Sequence, residues 1–490
     1  MEGRTPARLS RYDHVAGAAD PELAAHQLDR LVESAERAGL PNPLDALRDD
    51  EHLRRRLVAV LGASAALGDH LVANPAEWTY LAEPGGGPAH EGVTDVPGLR
   101  RSYRRELMRI AADDLTGARD VEETMAALSA LADATLAAAY RIAVGGGPEP
   151  ALAVIAMGKC GGGELNYVSD VDVIFVGGDD TTLAAATGVA SRLMSVCGQV
   201  AWPVDAALRP EGNRGPLVRS LASHLAYYRK WARTWEFQAL LKARPVVGDP
   251  ELAERWLGQL RPLVWSAAGR PGAVDDIRDM RRRILDNVPH RERDREIKRG
   301  PGGLRDIEFA VQLLQLVHGR GDESLRVAGT LPALRALVAG GYVGRADGEA
   351  LVEAYRFLRT VEHRLQLQRL RRTHTVPDDP AELRWLAHAL GYAGERRRDV
   401  VEVFRADWVH HAGQVRRLHA KLLYRPLLEA VARVPTESLR LTPDAARARL
   451  EVLGFADPPG ALRHLQALTG GVSRTAAIQR TLLPVLLQEF

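Results

Sequence analysis

At 490 residues the chain is too long for one compact core, and about two to four domains are expected. A hydrophobic share of 46% and a charged share of 26% exclude large-scale disorder, and a net charge of +2 excludes a surface built to coat nucleic acid generally. The two cysteines, Cys160 and Cys197, give no disulfide framework and no metal-ligand spacing, which fits a reducing cytoplasm; no signal peptide and no apolar run of membrane-spanning length is read in the sequence.

Residues 1–147 read as helical. Apolar residues recur at helical spacing over 21–39, 45–65, 99–117 and 122–144, with breaks at 41–43 and 83–88. Arg100, Arg101, Arg104 and Arg105 read as a solvated helix face. The run 145–150, GGGPEP, marks the first boundary.

The stretch 151–176, ALAVIAMGKCGGGELNYVSDVDVIFV, then passes from an apolar strand through a glycine-rich turn to a second strand bearing two aspartates. Alternation along a strand places Asp170 and Asp172 on one side, with Val171, Val173 and Phe175 packed behind. Two carboxylates held that close repel, and a divalent cation between them, magnesium first, makes the arrangement sensible. Gly158, Lys159, Gly161 and Gly162 form a turn in which backbone amides can approach a phosphate, and Ser169 joins them as a candidate contact. Lys159 is followed by Cys160, so the P-loop spacing is missing. An Asp-x-Asp pair alone is more often a surface feature; the glycine turn leading into it points to phosphoryl or nucleotidyl transfer, which is mostly positioning and charge neutralisation. Only five of the 65 basic residues are lysine, and Lys159, Lys242 and Lys298 all fall in motif-like stretches.

Residues 182–199 read as a helix and 201–208, AWPVDAAL, as a strand antiparallel or adjacent to the aspartate strand. Asp205 becomes the candidate third carboxylate; a strand-end aspartate capping a turn is the competing reading. The loop 209–218 carries Arg209 and Arg214, within reach of phosphates near Asp205. Residues 220–243 read as a helix with Ser220 as N-cap and an aromatic band (Tyr227, Tyr228, Trp231, Trp235) of the kind that is usually core, while Lys242 and Arg244 bring positive charge toward the site. This unit spans 148–250.

From 250 onward the chain is helical again, giving a bundle domain over 251–433. Residues 273–287 form an arginine-rich helix, and 296–315 a basic glycine turn running into an amphipathic helix. Lys298, Arg299 and Arg305 make an anion clamp, while Asp306 and Glu308 in the first helical turn fit helix-dipole compensation. Further helices read over 331–339, 346–370, 380–390 and 398–423, with Arg364, Arg369, Arg371 and Arg372 as solvated faces. The last unit, 434–490, opens a helix at Thr442 and Pro443 and breaks near 457–460. Its apolar end, LLPVLLQEF, is expected to pack on another surface or to continue into a longer protein.

Four stretches, GKCGGGELNYVSDVDVIF, VDAALRPEGNRGPLV, WEFQALLKARPVVGD and KRGPGGLRDIEFAVQLLQL, stand in that order between residues 158 and 316. Together they resemble the glutamine synthetase adenylyltransferase family, bifunctional enzymes with two homologous nucleotidyltransferase halves of the polymerase β type, of which one half is present here. The resemblance implies an α+β, mostly helical fold: a small mixed sheet with helices, flanked by N-terminal helices and a C-terminal bundle. Residues 161–166, the GPLV at 215–218 and Arg305 before the IEF triplet side with the deadenylylating N-terminal half, as does a start at Met1 with a helical region; Cys160, where the family usually has an aliphatic residue, departs from the pattern. The implied reaction is phosphorolysis of adenylyl-tyrosine on glutamine synthetase, phosphate in and ADP out. Asp170, Asp172 and Asp205 would hold magnesium, and Arg209, Lys242 and Lys298 would orient phosphate and AMP. Three readings compete: ATP-dependent adenylylation of the same protein, a binding module for a PII-type signalling protein with a silent core, and a nucleic-acid-tailing enzyme, which the near-neutral charge disfavours.

Overall fold

The computed structural model of the chain describes residues 15–82, 89–394, 398–423, 457–460 and 463. The break read at 83–88 and the helix start at Thr442 lie outside those residues. Six helices open the described fold: α1 (Pro21–Arg37), α2 (Pro43–Asp49), α3 (Glu51–Ala63), α4 (Ala65–Ala73), α5 (Val96–Leu115) and α6 (Val121–Val144). Caps explain most of their starts. Asp20 accepts from the Leu23 amide with Pro21 in the first turn, and Asp120 and Glu123 form a reciprocal capping box. The single helix expected over 45–65 is broken. Asp50 takes an extended conformation and caps Leu53, and Ser64 does the same for Leu67, because short polar side chains offer the backbone an alternative partner.

α6 corrects a further expectation. By length and composition it is apolar enough to cross a membrane, although none of that kind was expected. In the fold its Leu128, Leu131, Leu136 and Ala139 pack among the other N-terminal helices, as in the core helix of a folded domain.

The chain then enters a five-stranded mixed sheet. β1 (Leu152–Ala156) pairs antiparallel with β2 (Val171–Gly177) and with β5 (Arg244–Gly248), and β2 carries on its other edge, in parallel, both β3 (Val204–Asp205) and β4 (Val218–Ser220). Between the strands lie α7 (Gly158–Gly161), α8 (Leu183–Val200), α9 (Leu221–Lys230) and α10 (Thr234–Leu240). The strand expected over 201–208 shrinks to two residues, because Asp205 Oδ1 accepts from the Ala207 amide at 2.7 Å and turns the chain away. The helix expected over 220–243 is also two helices, split where Glu236 reaches back to the Arg233 amide at 2.8 Å.

Strand alternation decides what each face of the sheet touches. Leu152, Val154, Val171, Val173 and Phe175 join the core of the N-terminal helices and α8, whereas Ala153, Ile155, Ile174 and Val176 join the core of the helices that follow. Those are α11 (Pro250–Ser266), α12 (Ala273–Asp286), α13 (Leu304–His318), α14 (Thr330–Ala339), α15 (Arg345–Leu367), α16 (Pro380–Ala389) and α17 (Val400–Leu423). The protein is thus α+β and mostly helical, with one small sheet between two helical layers. Residues 458–460 begin a short helical turn in which the Asp457 side chain accepts from the Gly460 amide; the chain break read there is a helix start.

Candidate active site

A cavity of about 390 Å³ opens where the start of β2 meets α10, α12 and α13. Its floor carries Asp170, Asp172 and Asp205. Asp172 and Asp205 are register partners on parallel strands, and Asp170 immediately precedes β2. Gly158 makes the approach possible. It sits at φ +54°, and a Cβ there would lie 2.2 Å from Asp172 Oδ2, so only glycine leaves the carboxylate its place.

Burial, and then the charges of Asp205 and Asp170, push the Asp172 carboxyl up to about 6, against the pull of Lys298 and Arg305. Repulsion of this kind is what a hard divalent cation relieves, so the oxygen-donor set fits magnesium. Among the described residues no three groups close into a ready-made metal cluster. Asp170 is drawn into an ion pair with Arg372, and Asp205 spends one oxygen on Ala207, so the aspartate that lines the cavity is also the turn-capping one.

The three motif lysines have different surroundings. Lys159 is buried and donates to Glu362 at 2.9 and 3.0 Å and to Asn166 Oδ1 at 3.1 Å. Lys242 is buried against Glu164 at 2.8 Å and Thr330 at 3.1 Å. Lys298 also lines the cavity, yet its ammonium pairs with no carboxylate among the described residues. Burial and the neighbouring Arg305 hold Lys298 below the usual lysine range, partly offset by Glu362 and Glu308. Of the three, Lys298 is therefore the one whose ammonium has no carboxylate partner among the described residues. Arg305 is partly committed, with Glu308 Oε2 at 2.7 Å. Burial alone would raise Glu308, but Arg305 and the three lysines bring it down to about 2, so it stays ionised; its other oxygen has no partner among the described residues.

The glycine-rich turn is not an open cradle. It coils into the single turn of α7, where the amides of Gly161, Gly162 and Glu164 bond to the carbonyls of Met157, Gly158 and Lys159. Gly161 is required for packing: a Cβ would stand 1.9 Å from the Lys242 carbonyl oxygen. Of the residues singled out in the sequence, Gly158, Lys159, Ser169, Asp170, Asp172, Asp205, Lys242, Lys298 and Arg305 line the cavity, and Gly161, Gly162, Arg209, Arg214 and Arg244 do not. Arg209 stitches its own loop through the carbonyls of Ala206, Gly215 and Pro216. Arg214 is exposed, and Arg244 is locked bidentate to Asp133 at 2.8 and 3.0 Å. Asp306 does more than complement a helix dipole: it is buried against Arg281 at 2.6 Å and accepts from the Gly302 amide, fixing the basic turn.

Sequence reasoning did not single out His374 and took Arg372 for part of a solvated face. Both follow α15 and line the cavity, and His374 Nδ1 lies 3.0 Å from the buried Glu362. Burial would raise the Glu362 carboxyl, but Lys159, Arg359 and His374 hold it well below the usual range. The turn that delivers these residues runs through Leu370 at φ +44°, a conformation a branched side chain adopts only under constraint. No local signal in the sequence marks it.

A small mixed sheet presenting three aspartates beside a lysine that is unpaired among the described residues, enclosed by helices, defines a nucleotidyltransferase type of core. Residues 89–259 match the family model described as glutamate-ammonia ligase adenylyltransferase, and residues 278–423 match one described as GlnD PII-uridylyltransferase. Proteins named bifunctional glutamine synthetase adenylyltransferase/adenylyl-removing enzyme are 56% identical in Streptomyces coelicolor (501 residues, 96% of this chain and 50% of the relative), 51% in Nocardia farcinica (96% and 51%) and 45% in Corynebacterium glutamicum (97% and 51%). The chain belongs to this family, and it spans about half the length of the curated relatives it matches.

Proposed function

We propose that the chain removes AMP from an adenylylated tyrosine of glutamine synthetase by phosphorolysis. The observation that carries the reading is the juxtaposition of Asp170, Asp172 and Asp205 with the unpaired Lys298 in one cavity. The deadenylylating direction is supported by the glycines of 161–163, the GPLV at 215–218 and Arg305, which resemble the N-terminal half of the family. Magnesium held by the three aspartates would neutralise the phosphoryl oxygens during transfer. The protein's own groups do the rest. Lys298 and Arg305 bind the incoming phosphate and orient one of its oxygens toward the AMP phosphorus, and Lys159 and Lys242, already paired, keep the cavity wall rigid. A bond forms from that oxygen to phosphorus, the bond from phosphorus to the tyrosine oxygen breaks, ADP leaves, and the phenolate takes up a proton.

The setting we infer is cytoplasmic, with glutamine synthetase, phosphate and ADP as partners. The match of residues 278–423 to a PII-uridylyltransferase model is the observation that bears on a PII-type partner. That bundle also supplies Lys298, Arg305 and Arg372 to the cavity, which argues against a sensor with a silent core. ATP-dependent adenylylation would use the same carboxylates, and the first family match carries that name. Incubating the chain with adenylylated glutamine synthetase, phosphate and magnesium, and separately with unmodified enzyme and ATP, decides between them. ADP release in the first arm is expected; AMP incorporation in the second arm alone would overturn the direction.

A further inference from the structure

The second wall of the cavity is built unlike the first. α10 turns Trp235, Gln238 and Ala239 toward it, α12 turns Met280 and Ile284, and α13 turns Phe309 and Gln312, all at helical spacings that keep each set on one face. Trp235, Met280 and Ile284 are only half-buried although apolar. Between them two amides face each other: Gln238 Nε2 donates to Gln312 Oε1 at 2.7 Å, and both side chains are more than nine-tenths buried. This bond uses one carbonyl and one amino group. Whichever way round the two amides stand, one carbonyl and one amino group remain, and among the described residues neither has a partner.

An adjacent acceptor and donor set among apolar surfaces, beside an anion-binding end, match a flat heterocycle attached to a phosphate. We propose that the Gln238–Gln312 pair is a nucleobase subsite that reads the amidine edge of adenine. The free carbonyl accepts from the 6-amino group and the free amino group donates to a ring nitrogen, as amide side chains do on adenine elsewhere. Trp235, Met280 and Phe309 cover the ring faces. This rests on the adenylyl reading of the site, and it adds which part of the ligand is recognised and by what.

Equilibrium binding of three ligands to the full chain, followed calorimetrically, tests the subsite without turnover. AMP, purine riboside 5′-monophosphate (which lacks only the 6-amino group) and ribose 5-phosphate are titrated separately. AMP should bind at least about tenfold more tightly than either of the others, the worth of a paired amide contact. Gln238→Leu and Gln312→Leu should bring AMP down to the purine riboside monophosphate level while leaving ribose 5-phosphate binding unchanged, which also reports that the variants are folded. AMP binding no more tightly than ribose 5-phosphate overturns the subsite, as does an AMP preference that survives both substitutions. Base selectivity present without ADP release in the phosphorolysis assay would instead count against the direction of the reaction alone.

Discussion

Asp172 illustrates how the site's chemistry weighs on the fold. Its carboxyl is raised to about 6, so between about pH 4 and 6 the folded protein binds a proton more tightly than the unfolded chain does. Stability therefore falls as pH rises through that window, and the penalty stays in place above it, on the order of 3 kcal/mol. Asp172→Asn should remove this pH dependence in thermal unfolding and be more stable than the parent at pH 7 in the absence of divalent cation. Magnesium should raise the parent's melting temperature and leave that of the variant unmoved; equal shifts would count against a cation at this carboxylate. The lysines separate in the same way. Lys298→Met should raise the KM for phosphate about tenfold or more with little loss of stability, since no carboxylate loses its partner. Lys242→Met should destabilise by about 3–5 kcal/mol in denaturant titrations, because Glu164 is left buried and uncompensated. Three lysines that look alike in the sequence thus divide, on the proposed reading, into one for ligand and two for structure.

Among the elements, α7 is the one whose glycines were legible and whose shape was not. Small residues in a row announce close backbone approach, but not whether a phosphate or another strand makes it. Here the approach is made by the Lys242 carbonyl, in the turn that leads into β5, and Gly161→Ala, with its Cβ placed 1.9 Å from that oxygen, should cost about 1–3 kcal/mol in denaturant titrations. Retention of full stability would show that this turn can shift. β2 was readable from alternation alone, because Val171, Val173 and Phe175 bury one face while Asp172 stays at the other. Asp205 was readable as a carboxylate near the site, while its parallel pairing with Asp172 was not, since two residues of strand leave no pattern. Arg372 and His374 were illegible for a different reason. They reach the cavity only because the chain reverses at Leu370, and a left-handed leucine has no sequence signature.

Over the whole molecule, the two helical layers are joined by buried polar contacts as well as by the sheet they share. Arg364 on α15 is bidentate to Asp114 on α5 at 2.5 and 2.9 Å, Tyr167 also donates to that carboxylate, and Ser64 donates to the Leu367 carbonyl at 2.6 Å. Burial would raise Asp114, but Arg364 and its other partners hold it below the usual carboxylate range. Asp114→Ala leaves Arg364 buried and unpaired, and should cost about 3–5 kcal/mol and lower activity as well, because the α15 end that delivers Arg372 loses its anchor. Lost stability with unchanged turnover would separate the anchor from the site. The layering itself was only partly foreseeable: helical periodicity gave the helices, and nothing in it said that one sheet would serve both cores.

The pairing of Asp170 with Arg372 and of Lys159 with Glu362 has a consequence for biosynthesis. Each joins residues some two hundred positions apart, and both close the same cavity. During translation the aspartate corner leaves the ribosome long before its counterparts, with its carboxylates facing no cation from the bundle. Contacts this distant in sequence form late, after the loop between them has been closed. A nascent or prematurely terminated chain ending before residue 372 therefore carries the motif by which the family is recognised but an incomplete site, without the Arg372 and His374 that follow α15.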